Sequence, residues 1–308
     1  MDNLLKNKRI LLTGGHGFLG RNVWNKLLKI NNNILVPTAK QCDLRIKKNC
    51  ERITKDIDIV IHLAATTGGI EFNRQNPAKT FYDNASMALN LIDASYKNGV
   101  EKFVGIGSIC EYPKFTPVPF KEKNLWDGYP EESNGAYGLA KKLMLVQSQA
   151  YREQYGFNAI HLLQNNLYGP GDNFDPETSH VIPALIKKIN FAIKEGKKYI
   201  DVWGTGKPTR EFLYVDDAAE GIILATEKYN KPEPVNLGSK TEISIKGLAW
   251  LVATIMDFDG AIRWDRSKPD GQLRRKLDIN LAKKEFGFVA KTSLVEGLRK
   301  TIDWYYSN

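Results

Sequence analysis

Lys8-Arg-Ile-Leu-Leu-Thr-Gly-Gly-His-Gly-Phe-Leu-Gly20 is the stretch that decides the reading of this chain. Its apolar run ends at Thr13 and has the length of a strand buried on both faces. Gly14, Gly15 and Gly17 follow, and Gly20 falls inside a helical pattern that continues through Trp24 and Leu28. A glycine turn between strand and helix lets backbone approach a pyrophosphate closely. The helix start adds free N–H groups and the positive end of its dipole. Gly14, Gly17, Phe18, Leu19 and Gly20 are therefore candidate dinucleotide contacts. A purely structural turn would use the same glycines, so the segments on either side of it must decide.

Further along, the strand–helix unit repeats. Asn33-Ile-Leu-Val36 reads as the second strand. A cofactor whose ribose carries a free 2′-hydroxyl usually meets an acid at this point. Here Pro37-Thr-Ala-Lys40 stands instead, and a lysine in place of the acid suits a 2′-phosphate, hence NADP (NADPH). His16 in the glycine turn can assist. Asp43-Leu44 comes next, as a cap for the segment after it or as an adenine contact. Ile57-Asp-Ile-Val-Ile-His-Leu63 is the third strand, closed by small residues beginning at Ala64, across which a cofactor can lie. His62 inside that strand reads as a satisfied core histidine. A long helix is expected from Asn84, then strands at Lys102-Phe-Val-Gly-Ile-Gly107 and Ile160-His-Leu-Leu163.

The order is α/β: a Rossmann-like doubly wound parallel sheet over residues 1–165, rejoined by a segment at about 210–237. Residues 166–209 and 238–308 alternate short strands with helices and read as a smaller C-terminal α/β substrate-binding domain.

Chemistry gathers between Ser108 and Lys141. Ser108 closes the apolar run from Lys102, and reactive groups in open α/β sheets sit at the carboxyl ends of such strands. Tyr137 and Lys141 stand four apart, on one helix face. The lysine cation is expected to lower the phenol's pKa. Together the three can hold a carbonyl oxygen and pass it a proton.

Composition sets limits. The chain has 308 residues, 42% hydrophobic and 26% charged, as in globular proteins. No apolar run nears the ~20 residues of a membrane helix, so no membrane role is expected. The start of the chain lacks a signal-peptide plan. Cys42, Cys50 and Cys110 fit neither a disulfide set nor a metal site, which points to a reduced, cytoplasmic setting. The net charge of +9 is spread in lysine pairs rather than gathered with aromatics. Such a surface is either a plain solvated basic face or one that attracts an anionic ligand, and its spread argues against nucleic acid.

These motifs resemble the extended short-chain dehydrogenase/reductase superfamily, and within it the GDP-L-fucose synthase family of GDP-4-keto-6-deoxymannose epimerase-reductases. The likeness is carried by Gly14-x-x-Gly17-x-x-Gly20, Asp43-Leu44, Ser108 and Tyr137-x-x-x-Lys141. More specific are Gly107-Ser-Ile-Cys-Glu-Tyr-Pro-Lys114, Asn166-Leu-Tyr-Gly-Pro-Gly-Asp-Asn-Phe174, Ser179-His180, the segment Val202 to Leu213 and Pro269-Asp-Gly-Gln272.

The resemblance implies that Ser108, Tyr137 and Lys141 reduce a C4 ketone with NADPH. Cys110 and His180 would invert C3 and C5, whose protons the ketone acidifies. Asn166, Lys188, Trp203 and Arg210 would hold the GDP-linked keto sugar, and the protein would be a homodimer. Five positions depart from the family: His16, Ile109, Glu111 and the Lys187-Lys188 pair. Glu111 would place a carboxylate beside Cys110 and weaken epimerisation. The alternative activity is therefore C4 reduction alone, on a GDP-4-keto-heptose for capsule polysaccharide. A non-catalytic NADP-binding protein is the alternative of a different class.

Overall fold

A computed structural model describes residues 4–176, 178–268 and 270–308, so Pro269 of the late motif lies outside the described residues. The chain opens with β1 (Ile10–Thr13), α1 (Phe18–Leu27), β2 (Ile34–Leu35), α2 (Lys47–Ile53) and β3 (Ile59–His62). Then come α3 (Ile70–Gln75), α4 (Pro77–Lys97), β4 (Lys102–Ser108), α5 (Gly135–Tyr155) and β5 (Ala159–Gln164).

β6 (Asn166–Tyr168), α6 (Val181–Lys194), β7 (Tyr199–Trp203) and β8 (Thr209–Tyr214) lead to α7 (Val215–Lys228) and β9 (Val235–Leu237). The remainder is β10 (Glu242–Ser244), α8 (Ile245–Ile255), β11 (Ala261–Asp265), β12 (Arg274–Arg275), α9 (Asn280–Phe286) and α10 (Leu294–Ser307). None of the helices is long and apolar enough to cross a membrane, among the described residues.

Six parallel strands form the main sheet, in the order β2-β1-β3-β4-β5-β9. All four residues of β1 and of β3 are buried, as a strand covered on both faces requires. The order reverses between β1 and β3. The crevice at their carboxyl ends is where open sheets of this kind bind ligands. One apolar cluster packs the sheet against α1, α7 and α9, and another packs its opposite face against α2, α4 and α5.

The second sheet has the order β10-β8-β12, with β6 also paired to β8. β7 and β11 make a separate parallel pair. Leu185, Ile186 and Ile189 of α6 join Leu248 and Val252 of α8 and Leu298 of α10 in the core beneath them. The chain returns to the main sheet through α7 and β9, whereas β8, just before them, pairs only within the second sheet.

The helix expected from Asn84 begins seven residues earlier, at Pro77. Proline is favoured in the first helical turn, because its missing N–H would have had no partner there. Asp43 is not a helix cap: Ile46 occupies that position before α2.

Lys102 ties the two ends of this layer together. It is 2% exposed, and its Nζ donates to the carbonyls of Thr226 and Tyr229 (2.5 and 2.7 Å) and to Asn230 Oδ1 (2.8 Å). These oxygens lie at the carboxyl end of α7, where a cation complements the dipole. Burial, and then the nearby Arg152, lower the ammonium to about 7, and Glu227 opposes that pull. Lys102→Met keeps the stem and strands the acceptors without a donor. It is expected to cost about 2–3 kcal/mol, read as a lower urea midpoint, and an unchanged midpoint would dismiss the cap.

Candidate active site

The glycine turn is shaped by close approach. A Cβ on Gly20 would sit 2.0 Å from the Gly14 carbonyl oxygen, and one on Gly14 would sit 2.6 Å from Ala64 N. Only backbone fits at the mouth of the crevice, which leaves the space above the start of α1 free for a phosphate group. Phe18 and Leu19 open α1 and are half-buried. His16 Nε2 lies 3.1 Å from the Val36 carbonyl, and its ring meets Trp24 edge-on. Lys40 is exposed on the turn after β2. The cradle therefore fits a dinucleotide, with two nitrogen-bearing side chains near the end of β2.

Two neighbouring candidates are placed differently from expectation. Leu44 is a core residue, packed with Cys42 and Cys50. The Asp43 carboxylate accepts a fork from its neighbour Arg45 at 2.7–3.2 Å, which holds it below the usual carboxylate range. Arg45 also reaches Asp83 at 3.0 Å, so this acid belongs to a side-chain network.

Ser108 ends β4 opposite Gln164 of β5. Its Oγ accepts the Cys110 N–H at 3.2 Å and starts a single 3-10 turn, Ile109–Glu111. Helix α5 lies hard against that turn, since a Cβ at Gly138 would fall 2.1 Å from the Cys110 carbonyl. This contact sets Tyr137 over the strand end, where its hydroxyl faces Ser108 and Thr67.

Lys141, four residues on, donates to the Ile106 carbonyl at 2.9 Å, with Nζ 6.0 Å from the centre of the Tyr137 ring. The expected lowering of the phenol does not occur. Burial raises it, and Cys110 and Glu111 add to the rise, so the hydroxyl keeps its proton at neutral pH. Burial brings the Lys141 ammonium down to about 8, and Glu111 opposes this.

The loop after β3 is clamped by α4. Asn84 Oδ1 accepts the Thr66 N–H at 3.1 Å, its Nδ2 donates to the Thr66 carbonyl at 2.8 Å, and Asp83 accepts the Thr66 hydroxyl at 3.1 Å. Asn84, expected at a helix start, lies inside α4. Its clamp on the loop that carries Thr67 comes from a fold contact with no local signal. His62 is the core histidine expected, with Nδ1 2.8 Å from the Thr13 hydroxyl.

His180 is the N-cap residue of α6 and is exposed. The loop before it is fixed by Gly69 N–H donating to the Thr178 carbonyl at 3.2 Å, two residues along from Thr67. Cys110 Sγ lies 3.8 Å from Arg275 Nη1.

Arg275 also donates to Gln272 Oε1 at 2.8 Å and lies 3.7 Å from Glu131. It was not singled out in the sequence, because it follows Arg274 in an ordinary basic run. Strand alternation decides between them: Arg274 turns outward to Glu242 at 2.7 Å, and Arg275 is buried.

Arg210 is half-buried in the same wall. It donates to the Thr209 carbonyl at 2.8 Å, and its charge is lowered to about 10 by burial and then by Arg275. Asn166 Nδ2 donates to the Glu211 carbonyl at 3.3 Å. Trp203 is 56% exposed, with Lys188 Nζ 6.0 Å and Lys268 Nζ 5.1 Å from its ring centre. An exposed indole with two cations over it suits a flat anionic ligand. Glu111 does not flank the thiol as expected: its carboxylate turns inward under Ser108 and is fully buried.

The sequence profile described as the NAD dependent epimerase/dehydratase family matches residues 10–238. The chain belongs to this family. Across 307 residues it is 40% identical to a probable GDP-L-fucose synthase 1 of Oryza sativa subsp. japonica, covering 98% of this chain and 93% of the relative.

Among solved structures it resembles a GDP-6-OMe-4-keto-L-xylo-heptose reductase from Campylobacter jejuni. The TM-score is 0.91, with 28% identity over 98% of both chains. It also resembles a GDP-L-fucose synthetase from Naegleria fowleri bound to NADP, with a TM-score of 0.89, 30% identity, and 98% and 95% of the two chains covered.

Proposed function

We propose that the protein is an NADPH-dependent reductase of the C4 ketone of a GDP-4-keto-6-deoxy sugar, with 3,5-epimerase activity. The observation that carries the reading is the joint placement of Ser108, Tyr137 and Lys141 at the carboxyl end of β4, beside the glycine cradle. NADPH supplies the hydride when bound. Tyr137, protonated and aimed past Ser108, delivers the proton to the carbonyl oxygen. Ser108 Oγ hydrogen-bonds that oxygen, and the Lys141 ammonium stabilises the charge left on the phenol.

Lys40 and His16 contact the 2′-phosphate, and Gly14, Gly17 and Gly20 admit the pyrophosphate. Asn166 and Arg210 hold the diphosphate side of the substrate, with Lys188 and Trp203 against the guanine nucleotide. Arg210 and Arg275 make the wall around Cys110 cationic. Cys110 and His180 exchange the protons next to the ketone.

The supporting relatives are named as a GDP-L-fucose synthase and a GDP-keto-heptose reductase, and both names support action on a GDP-linked sugar. The second reading is C4 reduction without epimerisation, and the Glu111 and Ile109 departures motivate it. Residues 1–165 with α7 and β9 form the cofactor part and the rest the sugar part, in a cytoplasmic homodimer. Exposed Phe81, Tyr82, Leu89 and Val146 on α4 and α5 are the apolar side chains available for pairing.

The test is incubation with NADPH and a panel of GDP-4-keto sugars, with product stereochemistry read by NMR. No NADPH oxidation with any of them would remove the reading. NADPH is expected to bind at least tenfold more tightly than NADH by fluorescence titration, about 1.4 kcal/mol for contacts to one phosphate. The opposite order would dismiss the role of Lys40 and His16.

A further inference from the structure

Below Ser108 lies a buried pair that the reaction as described does not use. Glu111 is 0% exposed and His161, on β5, is 1% exposed. The imidazole Nε2 stands 3.1 Å from both carboxylate oxygens, and Oε1 also accepts the Ser108 backbone N–H at 2.8 Å. Gly107 makes the room. A Cβ there would fall 2.2 Å from Glu111 Oε1 and 2.3 Å from His161 Nε2. Among the described residues, His161 Nδ1 has no hydrogen-bond partner. An imidazolium would leave that nitrogen's proton buried and unpaired, so the pair is a neutral ring donating Nε2–H to a carboxylate. One negative charge is thus fixed beneath the turn that presents Ser108 and Cys110.

Lys141 Nζ donates to the Ile106 carbonyl at 2.9 Å and Glu111 Oε1 accepts the Ser108 N–H at 2.8 Å, two residues apart on β4, so the ammonium and the carboxylate share one strand end, and the carboxylate opposes the lowering of Lys141. The other titratable groups facing Lys141 are His62 on β3 and Tyr137 on its own helix. Burial keeps His62 neutral, down to about 3, and Tyr137 keeps its proton. Among these groups only Glu111 carries a negative charge. A carboxylate held by two donors in a dry site makes a stronger counter-ion than a mobile one.

We propose that Glu111, oriented by His161, is a positioning residue of the reduction: it fixes the turn that presents Ser108 and supplies the buried counter-charge to the Lys141 ammonium. The role in reduction rests on the reductase reading above. The placement of the charge beside Lys141 does not.

Two readouts separate these claims. In the cofactor-free protein, the NMR signal of the Lys141 ε-carbon is followed against pH. Glu111→Gln, which keeps the shape and removes the charge, is expected to lower its midpoint by about one unit. In turnover, the basic limb of kcat should move by the same amount and in the same direction, with KM for NADPH changed less than twofold. His161→Gln retains a donor to the carboxylate and should restore the wild-type midpoint.

If Glu111→Gln does not fold, His161→Leu serves. Without its donor the carboxylate is no longer fixed under Ser108, and the Lys141 midpoint should fall in the same way. An unchanged midpoint in the variant that folds overturns the proposal, as does a loss of thermal stability with an unchanged pH profile. If the wild-type protein reduces no GDP-keto sugar, the reductase reading fails, and the Lys141 titration still decides the counter-ion.

Discussion

Tyr137→Phe is expected to lower kcat for NADPH oxidation by about three orders of magnitude and to leave NADPH affinity within threefold. The ring stays, so the contact of α5 with the 108–111 turn at Gly138 survives. What is lost is one hydroxyl, the proton donor that faces Thr67 and Ser108. The direction of the phenol's shift bears on this role. A phenol lowered toward neutrality would be part phenolate before the ketone arrives and could not donate. This one is raised by burial and stays a donor across the neutral range.

Lys141 sets the other limit, with its ammonium lowered to about 8. Below that pH it is charged and can receive the developing phenolate. Above it the charge is lost, so the rate should decline on the alkaline side with a midpoint near 8. Single-turnover absorbance of NADPH and a fluorescence titration give the two quantities separately. Wild-type turnover in Tyr137→Phe would remove it as the donor.

The second large effect concerns the sugar carbons next to the ketone. In wild-type protein without NADPH, solvent deuterium should enter C3 and C5 of a GDP-4-keto-6-deoxy sugar. Cys110→Ser should slow that exchange by about 10²–10³-fold. A serine hydroxyl is a far weaker acid than a thiol and cannot trade protons near neutral pH. His180→Asn should slow exchange at one face of the ring and spare the other. Reduction of a substrate that needs no inversion should persist in both variants, because neither residue belongs to the Ser108, Tyr137 and Lys141 set.

Exchange in Cys110→Ser at the wild-type rate would clear the thiol of this role. No exchange in the wild-type protein itself would favour the reductase-only reading. Arg275 lies 3.8 Å from Cys110 Sγ, so a cation faces the thiol at this wall.

The sequence alone determined the parts that depend on local chemistry and period. A strand buried on both faces must be continuously apolar, so β1, β3, β4 and β5 were legible as runs, and the glycine turn after β1 follows from what backbone can do without a Cβ. The spacing of Tyr137 and Lys141 placed both on one face before any coordinates. Tertiary structure alone decided how those groups behave. Desolvation belongs to the whole packed crevice, and it raised the phenol against the lowering expected from its lysine neighbour.

Partners far apart in the chain were equally out of reach. Arg275 comes to Cys110 across 165 positions, His161 to Glu111 across 50, and Asn84 to Thr66 across 18. Asp43 went the other way, because a nearby arginine captured it once the turn formed. Side-chain type and spacing are local properties that the chain states outright. Burial and long-range pairing exist only after the sheet order brings distant strands side by side, and they settle which charges survive at the site.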